Sequence, residues 1–184
     1  MGMLEGKVVL VTGAGGGIGR DIALAMAREG AKIVVNDLGA SVTGEGNDVG
    51  PAQAVVNEIK ALGGEAVANT DSVSDAPSAA RMVQTALDVF GRIDVVVNNA
   101  GILRDRMLVN MSEEEWDSVI QVHLKGTFAP TRHAAAYWRD QAKAGHDVAA
   151  VRSRGASEAL GDLFSAPFEQ ASIDSWAKRE LAQQ

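Results

Sequence analysis

Residues 8–20 read VVLVTGAGGGIGR: an apolar run, a glycine-rich turn and the start of a helix. Val8, Val9, Leu10 and Val11 are mostly β-branched and wholly apolar, the pattern of a strand buried on both faces of a parallel sheet. Gly13, Gly15, Gly16, Gly17 and Gly19 let the backbone turn sharply and approach a ligand closely. A helix starting near Ile18 aims its unpaired N–H groups and positive dipole end at that turn, which favours a pyrophosphate there. Glycines also mark ordinary turns; their place between strand and helix is what gives these ones meaning.

The helix, Asp21 to Glu29, is closed by Gly30, and a second apolar strand, Ala31 to Asn36, ends in Asp37. In dinucleotide sites an acidic residue about 20 positions beyond the glycines accepts hydrogen bonds from the adenosine ribose hydroxyls. A carboxylate there also repels a 2′-phosphate, so NAD is favoured over NADP. Asp also opens loops by bonding its own backbone, and that plainer role for Asp37 stands beside the first.

A polar loop, Leu38 to Gly50, leads to helical spacing from Pro51 through Val55, Ile59 and Leu62, closed by Gly63-Gly64. Glu65 to Asn69 is a short third strand with Asp71-Ser72-Val73 at its carboxyl end. A third helix from about Pro77 to Phe90 places Met82, Val83, Ala86, Leu87 and Phe90 on one face, and Gly91 stops it. Ile93 to Val97 is a fourth strand ending in Asn98-Asn99-Ala100-Gly101. The alternation predicts an α/β fold: a Rossmann-like, doubly wound parallel sheet with right-handed crossovers, truncated after the fourth strand in the order 3-2-1-4. Ligands of such sheets bind outside the carboxyl ends of the strands. The glycine turn, Asp37, Asp71-Ser72-Val73 and Asn99-Ala100-Gly101 all fall at that edge, although Asn and Gly are also simple turn formers.

Ser112 followed by Glu115 predicts a capped helix with Trp116, Val119 and Ile120 facing inward. It continues through His123 to about Phe128, and a further alanine-rich helix runs to about Lys143. The expected organisation is one dinucleotide-binding domain over residues 1–148 and a divergent, helical C-terminal tail over 149–184 packed on it. The formal net charge of −7 argues against nucleic acid or an anionic membrane as partner. The absence of cysteine excludes disulfides and thiol catalysis. No apolar run suits a signal peptide or a bilayer span, so a soluble cytoplasmic protein is expected. His123, His133 and His146 have no metal-ligand spacing, and no metal is expected.

These residues resemble the short-chain dehydrogenase/reductase family, whose marks are T-G-x-x-x-G-x-G and an N-N-A-G after the fourth strand. They stand here as Thr12-Gly13 through Gly17 and Gly19, and as Asn98 to Gly101. VVNDLG at 34–39, ANTDSV at 68–73, NNAGILRDR at 98–106 and VHLKGTF at 122–128 are similar to the (3R)-hydroxyacyl-CoA dehydrogenase unit of multifunctional β-oxidation enzymes. The resemblance covers residues 5 to about 148. It implies a dinucleotide site in which Gly13, Gly17, Ile18 and Gly19 meet the pyrophosphate, Asp37 and Leu38 the adenosine ribose, and Ser72 and Val73 the adenine. Asn99, Ala100 and Gly101 would then pass beneath the ribose and nicotinamide. His123 stands where family members often have an Asn that helps hold a proton-relay water, and where the subgroup tends to have His.

The catalytic half departs from the family. There a fifth strand leads to a Ser, and the next helix carries Y-x-x-x-K, whose Tyr is the general acid/base and whose Lys lowers its pKa. The single tyrosine, Tyr137, is followed four residues on by Gln141, and it lies in the helix before the expected fifth strand. Tyr137 and Trp138 are read as packing residues, and no catalytic residue is assigned. His146 to Arg152 is a candidate for a fifth strand, with Ser153 or Ser157 nearby, and residues 165–181 have amphipathic helical spacing. With order 3-2-1-4 the fourth strand is an apolar edge. Either the tail covers it, or another chain does, or the protein is poorly stable; the second alternative is a homo-oligomer through that edge or through the helices after the fourth strand. Three functions stay open: a cofactor-binding protein without chemistry, an active NAD-dependent oxidoreductase of 3-hydroxyacyl thioesters or similar secondary alcohols, and a non-enzymatic interaction module.

Overall fold

The computed structural model describes residues 2–39 and 50–146. The chain divides into two units, Met1–Ala136 and Tyr137–Gln184. The first holds the whole sheet. The described part of the second is the end of a helix and the turn that follows it.

Strands β1 (Val8–Thr12), β2 (Lys32–Asn36), β3 (Ala66–Asn69) and β4 (Val95–Val97) form one parallel sheet in the order β3-β2-β1-β4. Val9 pairs with Ile33 on one side and Val95 on the other, and Ile33 pairs with Ala66. Every residue of β1 is buried, as a central parallel strand covered on both faces requires. Helices α1 (Gly17–Arg28) and α2 (Gly50–Ala61) cover one face. There Ala23, Leu24, Val55, Val56 and Ile59 pack with Val9, Val11, Ile33 and Val35, residues two apart on each strand. Helix α3 (Ala76–Phe90) packs on β1 and β2 and buries Ala79, Met82, Val83 and Ala86. Leu62, the last position of the expected helical spacing, lies one residue past α2 and is exposed. Among the described residues β4 is bonded only to β1.

Local chemistry explains the helix ends. Asp75 caps α3, accepting from the Ser78 backbone N–H at 2.9 Å and the Ser78 hydroxyl at 2.6 Å. The Ser78 hydroxyl first, and then its backbone N–H, hold the Asp75 carboxyl below the ordinary carboxylate range. Gly91, at φ +78°, closes the helix in the left-handed region. Helix α4 (Glu113–Ile120) opens with the expected reciprocal cap, Ser112 Oγ accepting from Glu115 N at 3.2 Å and Glu115 Oε2 from Ser112 N at 3.0 Å.

Two expectations about the last helices are corrected. Trp116 and Ile120 do not face inward but are 54% and 38% exposed, while Val119 is half-buried. Helix α4 continues directly into the turn that follows it and does not pack on the sheet, so its apolar face has no strand beneath it among the described residues. Nor does one helix end near Phe128 and another begin. A π turn, Gln121–Lys125, joins α4 to α5 (Gly126–Lys143), which runs through Phe128 and Pro130 without a break. The proposed strand at 146–152, Ser153, Ser157 and the helix at 165–181 lie outside the described residues, His146 apart, as do residues 40–49 of the loop.

Strand β4 begins at Val95 because Asp94 makes a different kind of contact with β1. Its backbone N–H donates to Val8 O at 2.8 Å, while its carboxylate accepts from Val8 N at 2.8 Å and from Arg92 Nε at 2.9 Å. The Asp94 side chain is buried, whereas that of Arg92 is half-exposed. Asp94→Ala leaves the Val8 N–H without this acceptor and takes away the carboxylate that Arg92 pairs with. The expected loss is about 2–3 kcal/mol in urea unfolding, with Asp94→Asn losing less because an amide oxygen still accepts.

Candidate functional site

The turn after β1 is built by three segments meeting. Gly13 has φ +63°, and a Cβ on it would stand 2.8 Å from the Ala100 Cα. A Cβ on Gly19, buried in the first turn of α1, would collide with the Gly13 carbonyl and the Asn99 side-chain amide. Gly13 and Gly19 therefore bring the β1 turn, α1 and the loop after β4 into contact. Gly16, Gly17 and Ile18 do the opposite: they are exposed, Ile18 by 75%. Gly16, the N-cap of α1, gives the helix no side-chain acceptor, in contrast to Asp75 and Ser112. A helix start without such an acceptor is suited to an anion.

Asp37 is half-buried at the end of β2 and is tied to the turn. Its Oδ2 accepts from Gly15 N at 2.8 Å and its Oδ1 from Gly39 N at 2.8 Å. The plainer of its two expected roles is thus visible: Asp37 organises its own loop through Gly39 N, and its other oxygen ties it to the glycine turn. Leu38, next to it, is half-buried.

The segment after β3 rests on a polar network that sequence reasoning missed. Asn36 Nδ2 donates to Asn69 Oδ1 at 2.8 Å and to Asp71 O at 2.9 Å. Asn69 Nδ2 donates to Asp71 Oδ2 at 2.9 Å and to Thr85 Oγ1 at 3.1 Å, and Arg81 pairs with the Asp71 carboxylate. The available signal was register: Asn36 and Asn69 are direct partners at the ends of adjacent strands. Beyond them Ser72 is half-buried and Val73 is buried.

Thr12, quoted in the motif but given no role, is the hub on the other side. Its buried Oγ1 accepts from Asn99 N and Ala100 N, each at 3.1 Å. Asn99 Nδ2 returns two bonds of 3.0 Å to Thr12 O and Gly13 O. Gly101 is exposed against the ring of His123, whose Nε2 lies 3.1 Å from Ile102 N and 2.9 Å from Ile102 O. Neutral Nε2 accepts from the Ile102 N–H; a protonated one donates to the carbonyl. The expected site residues of the glycine turn and of the loops after β2, β3 and β4 thus stand on one edge of the sheet, with His123 on the π turn beside it. Tyr137 and Trp138 are half-buried in α5. Among the described residues no group of three or more His, Cys, Asp or Glu is placed to hold a metal, and no helix is long and apolar enough to cross a membrane.

Residues 7–160 match the short chain dehydrogenase family. The chain is 55% identical over 137 residues to the peroxisomal multifunctional enzyme type 2 of Mus musculus, covering 74% of this chain and 18% of that one. It is 51% identical over 144 residues to a hydroxyacyl-CoA dehydrogenase of Mycobacterium tuberculosis, covering 76% and 43%. It superposes on a short chain dehydrogenase from Mycobacterium avium with a TM-score of 0.73 and 60% identity, covering 79% of this chain and 52% of that one. The chain therefore spans about half or less of the length of these relatives.

Proposed function

The chain belongs to the short chain dehydrogenase family, and from that premise we propose that the carboxyl edge of its sheet binds NAD in preference to NADP. The observation that carries the reading is Asp37: a carboxylate fixed by the Gly15 amide beside the helix start that lacks a side-chain acceptor. The residues fit the group. Gly13, Gly17, Ile18 and Gly19 form the pyrophosphate side, Asp37 and Leu38 hold the adenosine ribose, and Ser72 and Val73 border the adenine. Asn99, Ala100, Gly101 and His123 form the nicotinamide side. A nicotinamide dinucleotide supplies hydride transfer when bound.

The chain's own residues bind and orient it. Proton transfer to an alcohol or carbonyl oxygen needs a further group, and this sequence holds no Y-x-x-x-K, the residue four beyond its one tyrosine being Gln141. The function is therefore cofactor binding. A 3-hydroxyacyl thioester, the substrate class that the hydroxyacyl-CoA dehydrogenase name suggests, would depend on a proton-transfer group of another kind.

Thermal melting with each nucleotide tests the reading. A ligand held only by the folded state, at a hundredfold excess over its Kd, adds about 2.7 kcal/mol of stability. NAD is expected to raise the melting temperature clearly and NADP much less. Asp37→Ala should remove most of the NAD response and the discrimination with it. No shift at millimolar NAD would overturn the proposal.

A further inference from the structure

The π turn Gln121–Lys125 is closed by Gly126 N donating to Gln121 O, a bond spanning five residues where an α-helix spans four. Its effect is to stack Gly126, rather than Lys125, beside Gln121. Both then meet the loop after β3. Gln121 Nε2 donates to Ser74 O at 3.0 Å, and a Cβ on Gly126 would stand 2.7 Å from Val73 Cγ2, so the helix backbone rides directly on Val73. Within the same turn His123 holds the Ile102 backbone, and further along α5 the Thr131 hydroxyl accepts from Asn98 Nδ2 at 2.9 Å. These last two ties belong to the loop after β4. Leu124, in the widened turn, is 67% exposed, so the extra residue fills no core. π turns are rare and are frequently found at functional sites.

We propose that this π turn is a positioning device that sets the adenosine-side loop (72–75) and the nicotinamide-side loop (98–102) from a single helix, with Gln121 and Gly126 as positioning residues for the dinucleotide. It rests on the cofactor reading above. The two loops follow different strands, and the turn makes displacement of one a displacement of the other. Gly126→Ala pushes the helix off Val73 and so must also shift His123 against Ile102, which the new methyl group does not touch.

The test is amide hydrogen exchange of the full chain together with binding of AMP, as the adenosine half alone, and of NAD. Gly126→Ala is expected to speed exchange in both 72–75 and 100–103 and to weaken AMP and NAD by about threefold to tenfold, the scale of one lost hydrogen bond. His123→Ala should weaken NAD and spare AMP. Should Gly126→Ala fail to fold, Gln121→Ala, a substitution at an exposed position, carries the same expectation for both loops. Faster exchange confined to 72–75, in whichever variant folds, would overturn the proposal. A wild-type chain that binds neither AMP nor NAD would overturn the cofactor reading instead, and the exchange result would still decide whether the turn joins the two loops.

Discussion

Gly19→Ala is expected to cost about 3 kcal/mol in urea unfolding and to abolish measurable NAD binding, whereas Gly16→Ala should change stability by less than about 0.5 kcal/mol. The two glycines lie three positions apart in one motif, yet their surroundings are opposite. A methyl group on Gly19 meets the Gly13 carbonyl, which is backbone, and the Asn99 side-chain amide nitrogen. Asn99 is held by Thr12 and Gly13 and cannot retreat without breaking those bonds. Around Gly16 there is open space, and its φ of −168° is extended backbone that any residue adopts. Gly16→Ala should instead weaken NAD binding with the fold intact, because the new methyl group projects from the exposed start of α1. Equal stability losses in the two variants would mean that the motif acts through backbone freedom rather than through close approach.

The contrast also shows what a sequence can carry. The strands were legible because burial on both faces leaves an unbroken apolar run, as in Val8 to Val11, and the first three helices because one buried face imposes helical spacing, as in Val55 and Ile59. The Ser112–Glu115 cap was legible because both partners lie within one turn. The fourfold spacing of Trp116 and Ile120 was equally clear and misled, since periodicity reports that a face is apolar and not that anything covers it.

Contacts that depend on tertiary register were not legible at all. Asn36 and Asn69 read as ordinary strand ends until β2 and β3 are aligned. The bond from Gly15 to Asp37 joins residues 22 apart, and nothing in either neighbourhood requires it. The π turn has no signal of its own, because QVHLK has the composition of a plain helical segment; its contacts with Ser74 and Ile102 lie on other elements. The candidate site was thus legible as a set of positions on one edge. The bonds that hold those positions together were not.

Thr12→Val gives the sharpest test of those bonds. Valine keeps the shape and β-branching of a residue that is 1% exposed, so packing in β1 is preserved. It removes the one oxygen that accepts from both Asn99 N and Ala100 N. Two amides lose their acceptor together, at roughly 1–3 kcal/mol for each that stays dry. Because Asn99 and Ala100 are half-buried, water recovers part of that, and the expected net loss is about 2–3 kcal/mol in urea unfolding. Thr12→Ser keeps the hydroxyl and should recover most of the stability, losing only the buried methyl group, about 1 kcal/mol. The loop after β4 should then exchange its amides faster in the valine variant than in the serine variant. NAD affinity should fall with it, while AMP, which reaches only the adenosine side, binds as before. Equal stability of the valine and serine variants would mean that the hydroxyl is dispensable and that Asn99 is held by its own side-chain bonds to Thr12 and Gly13 alone.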